Sequence, residues 1–83
     1  MTEEEKDKII EDFLRNKIED YNRIMEIKDN TRFKRDLGMD SLDMTELAFE
    51  SETRFGILIT DLEMEKLKTF EGFKKLIKNK WKC

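Results

Sequence analysis

The sequence predicts an all-α fold: one small domain over residues 1–83 built from four helices, the third short and set between the second and last long ones. Three observations carry that expectation. Apolar residues recur at three- and four-residue steps in separate stretches, which is the spacing of one helix face. No stretch alternates strictly between apolar and polar residues, and Ile57-Leu58-Ile59 is too short to build a sheet. There is no proline and the three glycines stand singly, so the breaks between periodic stretches are short loops rather than linkers.

The first helix is marked by Ile9, Ile10, Phe13, Leu14, Ile18 and Tyr21, with Thr2-Glu3-Glu4-Glu5 as an acidic first turn that suits the positive end of the helix dipole. Ile24, Met25 and Ile27 continue it less regularly, and Lys28-Asp29-Asn30-Thr31 reads as a loop. Phe33 and Leu37 flank a charged turn and point inward; Gly38 then permits a sharp bend and keeps the approach to the next residues open. From Leu42 the second helix begins. Met44, Leu47, Ala48, Ser51 and Phe55 trace one face, Leu42, Thr45 and Phe49 another, and Gly56 is its stop. Ile57-Leu58-Ile59 must cover or enter the core. Asp61 caps a brief helix holding Met64 and Leu67, and Thr69 caps a last helix on which Phe70, Phe73, Ile77 and Trp81 share one side. The spacing places Met44, Leu47, Phe55, Met64, Leu67, Phe70, Phe73 and Ile77 in the core.

Composition narrows the chemistry. At 83 residues, 37% hydrophobic and 45% charged, the chain can build one thin core and no deep catalytic cleft. It has no histidine, which removes a His general base, a Ser–His pair and His-ligated metals. Its one cysteine, Cys83, cannot form an internal disulfide or a zinc site and fits a reducing compartment. The acidic amino terminus is no secretory signal, and no run of about 18 apolar residues exists to span a bilayer. A cytoplasmic monomer is expected. Asp36, Asp40 and Asp43 lack the spacing of a calcium loop, so no metal is expected.

The net charge of −3 hides blocks. Residues 1–35 hold ten acids and nine bases; residues 36–65 hold nine acids and one base; residues 66–83 hold seven lysines and one acid. Such blocks speak of partners rather than of fold. The lysines of the last helix oppose an apolar inner face and read as its wet side, so neither nucleic acid nor membrane insertion is expected.

The informative stretch is Asp36-Leu37-Gly38-Met39-Asp40-Ser41-Leu42-Asp43, running into Met44-Thr45-Glu46-Leu47. It sets a serine at a helix start, where unpaired N–H groups and the dipole favour an anion such as a phosphate ester. A plain helix cap has the same local signature, worth about 1 kcal/mol, and local physics alone favours it.

The wider pattern goes further. Phe33-x-x-Asp36-Leu37-Gly38-x-Asp40-Ser41-Leu42-Asp43-x-x-Glu46-Leu47 resembles the modification motif of the acyl carrier protein family, and the similarity continues through Phe55-Gly56, Ile59-x-Asp61, Met64-Glu65-Lys66-Leu67 and Thr69-Phe70. The amino-terminal helix resembles the family more loosely, since the connection from Leu14 to Phe33 is several residues longer than usual. The resemblance implies a four-helix acyl-carrier-type bundle that is a carrier and not a catalyst. It implies that Ser41, between Asp40 and Leu42, takes 4'-phosphopantetheine from coenzyme A through a separate phosphopantetheinyl transferase. The arm's thiol then holds acyl intermediates as thioesters, which would make sense of the missing histidine and the single terminal cysteine. The partners implied are acyl transferases, ketoacyl synthases, reductases and dehydratases, with fatty-acid biosynthesis the leading pathway and polyketide or aminoacyl pathways the alternatives. A helical interaction module without modification is the reading from another class. By position, Asp40, Asp43, Glu46 and Glu52 match partner-facing acids, and Leu42, Thr45, Phe49 and Ile59 the apolar contacts beside them. Phe33, Leu37, Leu47, Ser51, Phe55, Met64, Leu67 and Phe70 match a core that in this family opens to shelter an acyl chain. Four features depart from the family. Ser51 replaces a large apolar residue, which suggests a larger or more polar acyl pocket unless Phe49 or Phe73 fills the space. Arg54 interrupts the acidic stripe, Thr60 stands where proline is common, and the carboxyl-terminal end is unusually basic.

Overall fold

Among the described residues four helices follow one another: α1 (Glu3–Tyr21), α2 (Ser41–Phe55), α3 (Asp61–Lys66) and α4 (Phe70–Lys80). The computed structural model describes residues 2–21 and 27–82. Ile24, Met25 and Cys83 lie outside the described residues. No helix among the described residues is long and apolar enough to cross a membrane.

The helix starts are locally encoded. Thr2 and Glu5 cap α1 reciprocally: the Glu5 N–H donates to the Thr2 hydroxyl and the Thr2 N–H to the Glu5 carboxylate. The Thr69 hydroxyl accepts the Gly72 N–H at 3.1 Å, as the sequence suggests for α4. For α3 the cap is Thr60, not Asp61. The Thr60 hydroxyl accepts from the Glu63 N–H and the Glu63 carboxylate from the Thr60 N–H, so the residue in the expected proline position starts the helix. Gly56 ends α2 in the left-handed conformation at φ 65°, where its N–H reaches the Glu52 carbonyl.

Ile10, Leu14 and Ile18 of α1 bury against Met44, Leu47, Ala48 and Phe55 of α2 and Phe70, Phe73 and Ile77 of α4. Phe55 sits edge-on between Phe13 and Trp81, with ring centroids 5.2 and 4.8 Å away. Met64 and Leu67 correct the core assigned by spacing: they are half-buried, and α3 contributes no buried residue. A six-residue helix has too little length to bury a face, so these two side chains lean on the core from outside. In the apolar loop Ile57 enters the core while Leu58 turns outward, 78% exposed. Ser51 is fully buried and its hydroxyl donates to the Leu47 carbonyl one turn back at 2.8 Å. The polar atom is therefore satisfied within its own helix. Phe49, a candidate to fill space beside Ser51, points into solvent instead.

The lysines of α4 are not an idle wet face. The Lys74 ammonium bridges Glu11 at 3.2 Å and Asp29 at 2.7 Å, and Lys78 bridges Glu3 and Asp7, both at 3.1 Å. Lys80 reaches Glu63 and the Leu58 carbonyl. The basic block thus matches acids of α1, α3 and the 27–40 loop within the same molecule.

These pairs set a pH window. The hydrogen bond from Lys74 holds the Asp29 carboxyl below its ordinary range, and that from Lys80, with the Thr60 N–H, does the same for Glu63. Burial pulls the Lys74 ammonium down but is outweighed by the bonds to Asp29 and Glu11, so its pKa rises; Asp7 and Glu3 raise that of Lys78. A depressed carboxyl contributes stability above its unfolded pKa that is lost as pH falls through the folded one; a raised ammonium contributes below its unfolded pKa and loses it as pH rises through the folded one. Urea midpoints are expected to be flat between about pH 5 and 10 and to fall on both sides. A midpoint that climbed on acidification below about pH 4 would contradict this assignment.

Candidate functional site

The 27–40 loop is anchored before it can present anything. The Phe33 N–H donates to the Lys68 carbonyl at 3.1 Å, the Phe70 N–H to the Thr31 carbonyl at 2.9 Å and the Glu71 N–H to the Asp29 carbonyl at 2.9 Å. Arg32 and Thr69 form an isolated antiparallel bridge in the same place. Phe33, Leu37 and Met39 point inward and are buried. Gly38, at φ 68°, makes the turn between the last two. A Cβ on Gly38 would meet nothing within 4 Å, so the backbone conformation, not open space above it, is what requires glycine. Met39 was not legible as an inward residue because its neighbours set no helical or strand period.

The loop ends on Asp40, extended at φ −97°, and this residue caps α2. Asp43 N–H donates to the Asp40 carboxylate at 2.9 Å and Asp40 N–H to the Asp43 carboxylate at 3.2 Å, a reciprocal capping box of two acids. Ser41 is therefore the first helical residue and not the cap. Its hydroxyl is exposed, and its polar contact is with the Lys34 ammonium at 3.5 Å. The Ser41 carbonyl accepts from the Thr45 hydroxyl at 2.9 Å. Asp40→Ala should cost about 1 kcal/mol in urea denaturation, and Ser41→Ala only a few tenths. Equal costs would return the capping role to Ser41.

Beside Ser41 opens a groove of about 310 Å³. Met44, Met64 and Leu67 give it apolar surface, and Arg32, Lys34, Arg35 and Lys68, all exposed, give it positive charge. These cations escaped the sequence reading because three fall in the balanced first block and one in the lysine tail. Their signal was local: Arg32, Lys34 and Arg35 flank one inward phenylalanine.

Along α2, Leu42 and Phe49 are about two-thirds exposed, at 67% and 66%, and Thr45 and Glu46 are exposed too. Asp43 is half-buried in its capping box. Glu52 and Ile59, both expected to face outward to a partner, are engaged with each other. The Glu52 carboxylate accepts the Ile59 N–H at 2.8 Å, and Ile59 is half-buried against the core, so this pair ties the 57–60 loop to α2. Of the residues matched to an acyl-sheltering core, Met64 and Leu67 line the groove, while Phe33, Leu37, Leu47, Ser51, Phe55 and Phe70 are packed inside and do not. The groove's charged lining is Arg32, Lys34, Arg35, Glu65 and Lys68, and Ser51 is not part of it.

The sequence profile of the family described as "Phosphopantetheine attachment site" matches residues 12–77. Among curated proteins, the acyl carrier protein of Chloroherpeton thalassium is 52% identical over 42 residues, covering 51% of this chain and 52% of that protein. The acyl carrier protein of Nitratidesulfovibrio vulgaris is 44% identical over 55 residues, covering 66% of this chain and 72% of that protein. That of Aster yellows witches'-broom phytoplasma is 50% identical over 42 residues, covering 51% and 55%. The chain thus spans about half the length of the first of these relatives.

Proposed function

The chain belongs to the acyl carrier protein family, and from that membership we propose that Ser41 is the attachment point of its prosthetic group and that the protein carries acyl intermediates between enzymes. The family's group is a covalently attached 4'-phosphopantetheine. When bound, it supplies a flexible arm ending in a thiol that holds acyl groups as thioesters.

The observation that carries the reading is the division of labour at the start of α2. Asp40 and Asp43 do the capping, which leaves the Ser41 hydroxyl exposed with no structural task. The residues present fit a phosphodiester. The first turn of α2 offers unpaired N–H groups and the dipole's positive end, and the Lys34 ammonium lies 3.5 Å from the oxygen that would be esterified. Among the described residues no base is hydrogen-bonded to that hydroxyl, so its proton would leave to a base of the phosphopantetheinyl transferase as the phosphate–oxygen bond forms and the nucleotide half of coenzyme A departs.

The chain's own residues then orient and identify the arm. Leu42, Thr45 and Phe49 offer apolar contact to a partner, while Asp40, Asp43 and Glu46 offer charge. Exposed pairs of this kind steer encounter and specificity while each is worth only about 0–1 kcal/mol, which suits a shuttle that must be released. Acyl transferases, ketoacyl synthases, reductases and dehydratases of fatty-acid synthesis are the partners proposed, for one carrier domain working as a cytoplasmic monomer. A specialised carrier for another acyl pathway is the second reading, and the cations around the groove favour it.

Incubation with coenzyme A and a broad-specificity phosphopantetheinyl transferase tests the proposal. The intact mass should rise by one phosphopantetheinyl group, located on Ser41 by fragmentation. A mass that never rises, from protein whose fold is intact by circular dichroism, would leave only the unmodified interaction module.

A further inference from the structure

Resting on that carrier reading, we infer that Lys34 is a positioning residue for the arm: with Ser41 esterified, its ammonium pairs with the phosphodiester and ties the turn 32–37 to the start of α2. Loading at Ser41 then stiffens the loop that precedes it. The contact that points there already exists between the two side chains. The Lys34 ammonium stands 3.5 Å from the Ser41 hydroxyl oxygen, and both residues are exposed. That distance is longer than a settled hydrogen bond. The ammonium is thus held beside the oxygen without being satisfied by it, and among the described residues it is paired with no carboxylate.

The turn that carries Lys34 is built without help from any ligand. The Asp36 and Leu37 N–H groups donate to the Arg32 carbonyl at 2.9 and 3.2 Å, and the Arg32 N–H donates to the Asp36 carboxylate at 2.8 Å. Phe33 and Leu37 are buried on either side of the lysine. The Phe33 N–H donates to the Lys68 carbonyl, and the Phe33 carbonyl accepts the Met39 N–H. Lys34 therefore rides on fixed backbone, and only its flexible four-carbon stem has to move to follow an anion.

The charge around Ser41 says why a cation is needed there. Asp36, Asp40 and Asp43 accept backbone N–H groups and keep their negative charge. Esterification of Ser41 would add a phosphodiester anion beside Asp40 and two residues from Asp43, and like charges so placed repel. Among the described residues, Lys34 is the cation in polar contact with the Ser41 side chain; Arg32, Arg35 and Lys68 line the same groove without such a contact. An ammonium binds phosphate as a point charge with no fixed fork geometry, which suits the root of an arm that must swing. An exposed pair of this kind is weak and screened by salt, so it orients the arm without immobilising it.

The test compares the full chain before and after loading with the bare arm, in the parent and in Lys34→Gln, Lys34→Arg and Lys68→Gln, each load verified by intact mass. Amide hydrogen exchange is followed at Asp36 and Leu37, whose N–H groups close the turn, and the ³¹P signal of the phosphodiester reports its pairing directly. In the parent, loading should slow exchange at both amides by about two- to fivefold, the span that an exposed ion pair can supply. The slowing should fade as salt is raised. Lys34→Gln should abolish it and move the ³¹P signal, Lys34→Arg should keep it, and Lys68→Gln should leave both readouts as in the parent. A parent that gains no arm overturns the carrier reading and this inference with it. A parent that loads but shows no slowing, or the same slowing in Lys34→Gln, leaves the carrier reading standing and overturns this inference alone. Slowing lost equally in Lys68→Gln would assign it to the general charge of the groove and overturn the role of Lys34 as well.

Discussion

Ser41→Ala is expected to remove phosphopantetheine loading completely, with no detectable mass gain under conditions that convert the parent protein fully, while the urea midpoint stays within a few tenths of a kcal/mol of the parent's. The size of the functional effect follows from stoichiometry: on the proposed reading a single oxygen, that of Ser41, is the one esterified. The small stability effect follows from the start of α2. The Asp40 carboxylate and Asp43 N–H close the cap, the Met44 N–H is taken by the Asp40 carbonyl, and the Ser41 hydroxyl's polar contact is the end of an exposed lysine. Removing that oxygen orphans no buried group. Residual loading of the variant would move the attachment to another hydroxyl. Thr45, one turn on, is the first to examine, although its hydroxyl is already donated to the Ser41 carbonyl.

Much of this arrangement was legible from residue spacing. The helical periods of Ile10-Leu14-Ile18, Met44-Leu47-Ala48-Ser51-Phe55 and Phe70-Phe73-Ile77 name the three buried faces, because a helix that packs on one side repeats its apolar residues every three or four positions. Gly56 and Thr69 were readable as a stop and a cap because those roles depend on the local backbone alone. What spacing could not supply was the assignment of caps among adjacent candidates. Asp40 and Ser41 are both good caps, as are Thr60 and Asp61, and which of each pair adopts the extended conformation depends on how the preceding loop is anchored. Phe33, Leu37 and Met39 anchor the first, and the Glu52–Ile59 hydrogen bond the second.

Charge was the least legible feature, for a physical reason. Summed along the chain, the last 18 residues look like a basic tail and residues 1–35 look neutral. Folding re-sorts those sums. The tail's lysines meet acids on α1, and the true basic concentration forms where the 27–40 loop crosses the start of α4, bringing Lys68 beside Arg32, Lys34 and Arg35. Acids behave likewise. Glu52 and Glu63 belong to a negative stretch of sequence, yet they serve as acceptors for Ile59, Thr60 and Lys80 inside the molecule.

Phe33→Ala should be among the most damaging single substitutions for stability, costing about 3–5 kcal/mol in urea denaturation. A chain of this length has a total stability of roughly 4–12 kcal/mol, so the variant would be largely unfolded at the lower end of that range. Phe33 is 1% exposed, and its ring meets that of Phe73, itself fully buried, edge-on at 5.7 Å. Its backbone is also pinned at both ends: the N–H donates to the Lys68 carbonyl and the carbonyl accepts the Met39 N–H. Truncation therefore opens a cavity between α4 and the loop and loosens the hinge that aims Ser41. Phe33→Leu separates the two consequences. It keeps most of the buried volume and should cost about 1–1.5 kcal/mol, with the fold and loading retained. If Phe33→Ala cost less than about 1 kcal/mol, the loop would not depend on this anchor, and the exposure of Ser41 would have to be fixed by α2 alone.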